Sequence, residues 1–171
     1  ALERLRKYFQ NEQPDYYALR HSNEVDDITS VQARLDENQA LIEYFIGTEK
    51  SYVFWCTKRE HIQVLEICKE DQLAALVQDF LHAIYVPYIE NREGDTRFAE
   101  LKNTYTKAYA DQVYAANAYA LYQCLIQPVL EQLDSDITRL EIIPDGILTT
   151  LAFDALLQAE IPTCLLYTSD A

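Results

Sequence analysis

The chain has 171 residues and a mass of 19.8 kDa, the size of one ordinary domain. Hydrophobic residues make up 49% and charged residues 25%, which is typical of a globular protein and excludes disordered, collagen-like and disulfide-dense classes. Twenty-eight acidic against 14 basic residues give a net charge of −14, which repels phosphate backbones and anionic membrane surfaces. We therefore expect no nucleic acid and no membrane among the partners.

The sequence at both ends suggests that this chain is a piece of a longer protein. The sequence has no Met, and residues 1–14 open with an amphipathic pattern that we interpret as the end of an upstream helical region. The last eight residues, 164–171, resemble the translation of a transposase sequencing adapter, so we expect native sequence to stop near Thr163. Without that tail the net charge is 14 − 27 = −13, because only Asp170 is lost.

The native cysteines are then Cys56, Cys68 and Cys124. They are widely spaced and lie in apolar patterns, which favours reduced, buried thiols over a disulfide framework. We expect a cytoplasmic protein on this ground.

Residues 11–38 are polar, with one short helical pattern. Val25, Ile28, Val31 and Leu35 recur at helical spacing, and we expect Thr29 or Ser30 to cap that helix.

Three short runs between residues 40 and 67 predict an antiparallel β-meander. ALIEYFIG, SYVFWCT and HIQVLEI are rich in β-branched and aromatic residues and are separated by polar breaks of hairpin length. In the third run, Ile62, Val64 and Glu66 share one face, and Leu65 and Ile67 share the other.

Two long helices are predicted next. Residues 70–86 carry an apolar stripe at helical spacing, ended by Pro87: Leu73, Leu76, Val77, Phe80, Leu81 and Ile84. Residues 90–104 are polar and predict a loop. The second helix covers 105–133, and Pro128 is expected to kink or divide it. Its apolar stripe contains Tyr114, Ala118, Leu121, Tyr122, Leu125, Val129 and Leu133.

The remaining segment predicts a short buried strand, Leu140 to Ile143, followed by a Pro-Asp-Gly turn in which Asp145 bonds its own backbone and Gly146 supplies an unusual φ. Thr150 is placed to cap a helix carrying Leu151, Ala155 and Leu156.

Few residues in this chain have the pattern of catalytic groups. Cys56 and His61 invite a Cys–His nucleophile hypothesis, but Cys56 sits inside a predicted strand, so a structural thiol is the preferred interpretation. His21 is expected in solvent and His82 at the polar flank of its helix. No histidine pair has metal-ligand spacing, and no phosphate-binding glycine motif is present.

The acidic pairs Asp26-Asp27 and Glu70-Asp71 fit turns and helix starts. Five tyrosines cluster on the second long helix, where core or interface packing is the default and a peptide-binding surface the alternative: Tyr105, Tyr109, Tyr114, Tyr119 and Tyr122. We predict no catalytic, cofactor-binding or metal-binding residue in this chain.

The order of these segments resembles the N-terminal half of the CHAT domain, a caspase-like domain commonly found after TPR repeats. The likeness covers roughly residues 15–160, and its most specific part is the run IIPDGILTTLAFDALL. The family usually shows PDG-x-L-x-x-L-P-F-x-A-L, and Ala152 stands where the family commonly has Pro. The matching positions are Ile142, Ile143, Pro144, Asp145, Gly146, Leu148, Leu151, Phe153, Ala155 and Leu156.

The resemblance implies an α/β fold: an incomplete caspase-like sandwich over residues 15–163, with an N-terminal meander, two long helices and a late core strand. It implies a cytoplasmic parent protein that is a cysteine endopeptidase acting on protein or peptide substrates, with TPR repeats upstream and no cofactor. The family's His and Cys follow the PDG segment, so neither is carried over onto a residue here, and we expect this chain alone to be inactive.

Two alternatives stay open. One is a CHAT-like scaffold without catalysis that works with TPR repeats through its Tyr-rich helices. The other is an unrelated α/β binding domain in which the PDG match is fortuitous.

Overall fold

A computed structural model describes residues 7–8, 11–13, 27–88 and 96–161 of the chain. The chain divides into two compact units, residues 1–34 and 35–171. The first contains helix α1 (Ile28–Arg34). Most of the predicted N-terminal helix, His21, Asp26 and the suspected adapter tail lie outside the described residues.

The second unit is built on a four-stranded mixed sheet, which confirms the α/β class. Its strands are β1 (Gln39–Phe45), β2 (Ser51–Thr57), β3 (Gln63–Ile67) and β4 (Arg139–Ile143), in the order β3-β2-β1-β4. The first three pair antiparallel, as the meander predicts, and β4 pairs parallel to β1.

The two longest helices cover one face of the sheet. They are α2 (Glu70–Tyr85) and α4 (Lys107–Leu125). Their predicted apolar stripes meet the inward side chains of β1 and β2 in one core, whose buried members include Ile42, Val53, Trp55, Leu73, Val77, Phe80, Ala118, Leu121 and Leu125. The stripes therefore pack as the 3.6-residue spacing indicates.

The other helices are α3 (Thr96–Thr104) and α5 (Gln127–Leu130). Pro128 lies in the first turn of α5 and separates it from α4, as predicted. The predicted loop over 90–104 is wrong for α3. This segment contains good helix formers, and Leu101 packs against a second small core with Ala83, Val86, Tyr105 and Ala110.

The predicted caps differ in two places. The carboxylate of Asp27 accepts the Ser30 amide at 2.7 Å, so Asp27 caps α1, rather than Thr29 or Ser30. That backbone hydrogen bond lowers the pKa of Asp27. Thr150 starts no α-helix, because residues Gly146–Thr150 and Phe153–Ala155 form two separate 3-10 turns. The Thr150 hydroxyl bonds back to the Ile147 carbonyl at 2.8 Å.

The prediction of three reduced thiols is wrong for two of them. Cys68, just before α2, and Cys124, in the last turn of α4, form a disulfide with a Cα–Cα distance of 6.3 Å. The meeting of the two helices on the sheet brings together residues that are 56 apart in sequence. Cys56 is free and buried, as predicted.

Candidate functional site

The carboxyl ends of the parallel strands β1 and β4 lie side by side. Ligands of open α/β sheets bind outside such ends, so this is the first place to look for a site. β1 leads into Ile46 and Gly47, and β4 leads into Pro144, Asp145 and Gly146.

Asp145 ties these two ends together. Its Oδ2 accepts the Ile46 amide at 2.8 Å across 99 residues of sequence. The expectation that its side chain bonds its own backbone is therefore wrong, although its carbonyl accepts the Leu148 amide at 3.1 Å and starts the 3-10 turn. Gly146 has φ +54, the left-handed conformation predicted for it.

The segment after the turn packs onto the sheet rather than into solvent. Leu148 is fully buried and Leu151 nearly so. The ring of Phe153 stacks on that of Tyr44 with centroids 5.9 Å apart. The Tyr114 hydroxyl donates to the Ala155 carbonyl at 2.7 Å, so this run joins the sheet to α4.

The strand β4 differs from its prediction as a buried strand. Its burial pattern runs from exposed to half-buried, with Leu140 36% and Ile143 43% exposed. The reason is its position: in the part of the chain that the structure describes, β4 is an edge strand with a partner on one side only.

Cys56 and His61 do not form a nucleophile pair. Cys56 is 3% exposed within β2, and burial raises the pKa of its thiol, which disfavours the thiolate that attack requires. His61 is exposed beyond the end of β2, and no hydrogen bond joins these two described residues. Their structural interpretation is the better one.

His82 lies at the half-buried edge of α2, as predicted. Its ring meets the Tyr105 ring edge-on at 5.5 Å, and the Tyr105 hydroxyl donates to Asp79 at 3.0 Å. Burial, together with the bond to Asp79, raises the pKa of Tyr105 to about 12. This cluster packs α2 against the turn that precedes α4. No group of three metal-ligating side chains occurs among the described residues.

The tyrosines of α4 and the turn before it divide between packing and exposure. Tyr105 is 8% exposed and belongs to the second core, and Tyr114 contacts Phe80 with ring centroids 5.7 Å apart. Tyr109 remains 47% exposed. The core interpretation is therefore confirmed for Tyr105 and Tyr114.

The sheet face opposite the helices carries a groove that sequence reasoning missed. It has a volume of about 530 Å³ and extends from the carboxyl ends of β1 and β4 across β2 to the start of β3, and we call it the open groove. The side chains that shape it are Glu43, Phe45, Phe54, Ile62, Ile143 and Asp145. The alternation of Glu43 and Phe45 with buried Ile42 and Tyr44 was the available signal, but it does not say that Glu43 and Phe45 stay exposed.

Comparison with protein-family models, with curated proteins and with solved structures finds no match to this chain. Among the described residues, no helix has both the length and the apolar character that crossing a bilayer requires.

Proposed function

We propose that this chain forms the supporting part of a caspase-like domain of the CHAT type, in a protein that acts on protein or peptide substrates. The observation that carries the proposal is the parallel pairing of β1 with β4. This pairing puts the strand of ALIEYF beside the strand of IIPDG in one sheet, so two segments that carry the resemblance meet in one layered α/β unit although they are far apart in sequence.

The packing of the motif residues supports the same proposal. Leu148, Leu151 and Phe153, which match the family pattern, all pack against the core of the sheet. Asp145 and Gly146 hold the chain at the turn between β4 and this segment. The motif thus has a structural role here, joining the sheet end to α4, and it supplies no reacting group.

In such a protein this chain supplies strands and helices that support the domain, and the catalytic groups lie elsewhere. The free cysteine of the described part of the chain, Cys56, is buried with a raised pKa, so the proposal gives it no part in peptide cleavage. A cysteine peptidase needs a thiolate, a base beside it and donors for the oxyanion. In this proposal those groups come from sequence that follows the PDG segment.

The test is the natural reading frame around this sequence and the activity of the protein that it encodes. We expect the frame to encode a His and a Cys after the segment, and the full protein to cleave a casein substrate. Iodoacetamide should abolish the activity and Cys56→Ala should retain it. A frame without that pair, or activity lost specifically on Cys56→Ala, would overturn the proposal.

A second candidate is an interaction module without catalysis. The exposed apolar side chains on the outer sheet face favour it, since Phe45, Ile62 and Val64 are each more than half exposed. A full protein that binds partners, lacks the His and Cys and shows no casein cleavage would favour this candidate.

A further inference from the structure

The outer face of the sheet has an unusual row of side chains. The strand register places Val64, Phe54, Glu43 and Ile143 side by side across all four strands. Three of the four are apolar, and Val64 and Ile143 are 52% and 43% exposed. Glu43 is therefore a carboxylate in the middle of an apolar row.

Glu43 has no hydrogen-bond or ion-pair partner among the described residues. Other acids near this sheet do: Glu66 pairs with Lys50 at 2.7 Å, and Glu141 accepts from the Gln39 amide at 2.7 Å. Glu43 is solvent-exposed, so its carboxylate is accessible to a cationic group that a ligand brings.

The open groove has a second acidic side chain where it reaches the turn after β4. Asp145 is half-buried there, with one oxygen held by the Ile46 amide. The lining, all of it described, contains two acids and no basic side chain, and the rest is mostly apolar. A ligand that is complementary to this charge and this apolar surface carries a positive side chain next to apolar ones.

We propose that the open groove binds an extended peptide segment of a partner protein in which a Lys or Arg is flanked by large apolar residues. The basic side chain pairs with Glu43, and the apolar ones cover Phe45, Phe54, Ile62 and Ile143. The net charge of −14 also attracts basic partners at long range. The groove is a property of the sheet itself, so this proposal stands or falls separately from the assignment to a peptidase.

The test is fluorescence polarisation with three dye-labelled peptides: Gly-Leu-Lys-Phe-Gly, Gly-Leu-Glu-Phe-Gly and Gly-Ala-Lys-Ala-Gly. We expect saturable binding of the first only, weakened by added salt. Glu43→Gln should weaken that binding about tenfold, because it removes the charge and keeps the shape. Phe45→Ser should weaken it by a similar factor.

Matched controls separate the groove from general surface effects. Glu100→Gln on α3 removes an exposed acid elsewhere, and Tyr85→Ser on α2 removes an exposed aromatic ring. Both should change the affinity less than twofold. Circular dichroism and the unfolding midpoint check that each variant is folded. Glu43→Gln is the safest of them because Glu43 is exposed and pairs with no other residue that the structure describes.

Several results would overturn the proposal. They are equal binding of the Lys and Glu peptides, unchanged affinity in folded Glu43→Gln, and no saturation of the Lys peptide at about 1 mM. Sedimentation equilibrium tests the other occupant. If Phe45→Ser abolishes a dimer while the peptide fails to bind, the groove is the contact between two copies of this chain.

Discussion

The two faces of the sheet use the same strands in different ways. On the helical face, Ile42 and Val53 are fully buried beneath α2 and α4. On the outer face, Phe45 and Val64 are 55% and 52% exposed although they are as apolar as their buried neighbours. The comparison teaches that alternation in a strand separates two faces, whereas the covering elements decide which face is a core.

Truncation of a core ring is the largest expected effect. Phe80 is fully buried in the main core and its ring contacts Tyr114 of α4, so Phe80→Ala should lower the free energy of unfolding by about 3–5 kcal/mol. Phe45→Ala on the outer face should change it by less than about 0.5 kcal/mol. Urea denaturation of both variants makes the comparison, and equal losses would show that the outer face is covered too.

Loss of the disulfide on the helical face should have the second-largest effect on the free energy of unfolding. It closes a loop of 56 residues between the start of α2 and the end of α4. Replacing both Cys68 and Cys124 by Ser should cost about 2–4 kcal/mol of unfolding free energy, chiefly by enlarging the unfolded ensemble. A thiol reductant should lower the wild-type stability by a similar amount and leave the double variant unchanged; a reductant effect on the variant would contradict this.

Loss of the hydrogen bond from the Ile46 amide to Asp145 should have the third-largest effect on the free energy of unfolding. Asp145→Ala leaves the Ile46 amide without its charged acceptor, and we expect a loss of about 1.5–3 kcal/mol. Asp145→Asn keeps an acceptor oxygen and should recover part of the loss. Hydrogen exchange at the Ile46 amide gives a local measurement, and unchanged protection in the Ala variant would exclude the bond.

The smallest effects involve buried tyrosines. The Tyr44 hydroxyl donates to the Leu125 carbonyl at 2.9 Å in the core, so Tyr44→Phe should cost about 0.5–1.5 kcal/mol. Burial raises the pKa of Tyr44, which keeps the hydroxyl protonated as a donor at neutral pH.

Tyr105 contributes to the pH dependence of stability at the alkaline end, in the same direction as Tyr44. An unfolded tyrosine ionises near pH 10, whereas the pKa of folded Tyr105 is about 12. Between these values the unfolded state binds fewer protons, so the contribution of Tyr105 to stability is complete below pH 10 and is lost as the pH rises towards 12. Tyr105→Phe should reduce this alkaline loss, which urea denaturation at several pH values measures; an unchanged slope would contradict the assignment.

Local sequence patterns predicted most of the elements. The spacing of Leu73, Val77 and Phe80 indicated α2, and the three β-rich runs indicated the meander. The prediction that Leu65 and Ile67 share one face of the third strand is also confirmed, since both pack against the core. Local patterns failed at α3, where a polar surface resembles a loop, and at Thr150, where two 3-10 turns replace the helix. The candidate site could not be predicted from local patterns, because Glu43 and Ile143 are distant in sequence and become neighbours only when β1 pairs with β4.

By itself the sequence determined the three β-rich runs, the two apolar helix stripes and the positive φ of Gly146, because these depend on neighbours within a few residues. Tertiary structure alone decided the parallel pairing of β1 with β4, the Cys68–Cys124 bond and the uncovered face around Glu43. Each of these requires contacts across about 50 to 100 residues, and the free energy of such contacts depends on how whole elements pack.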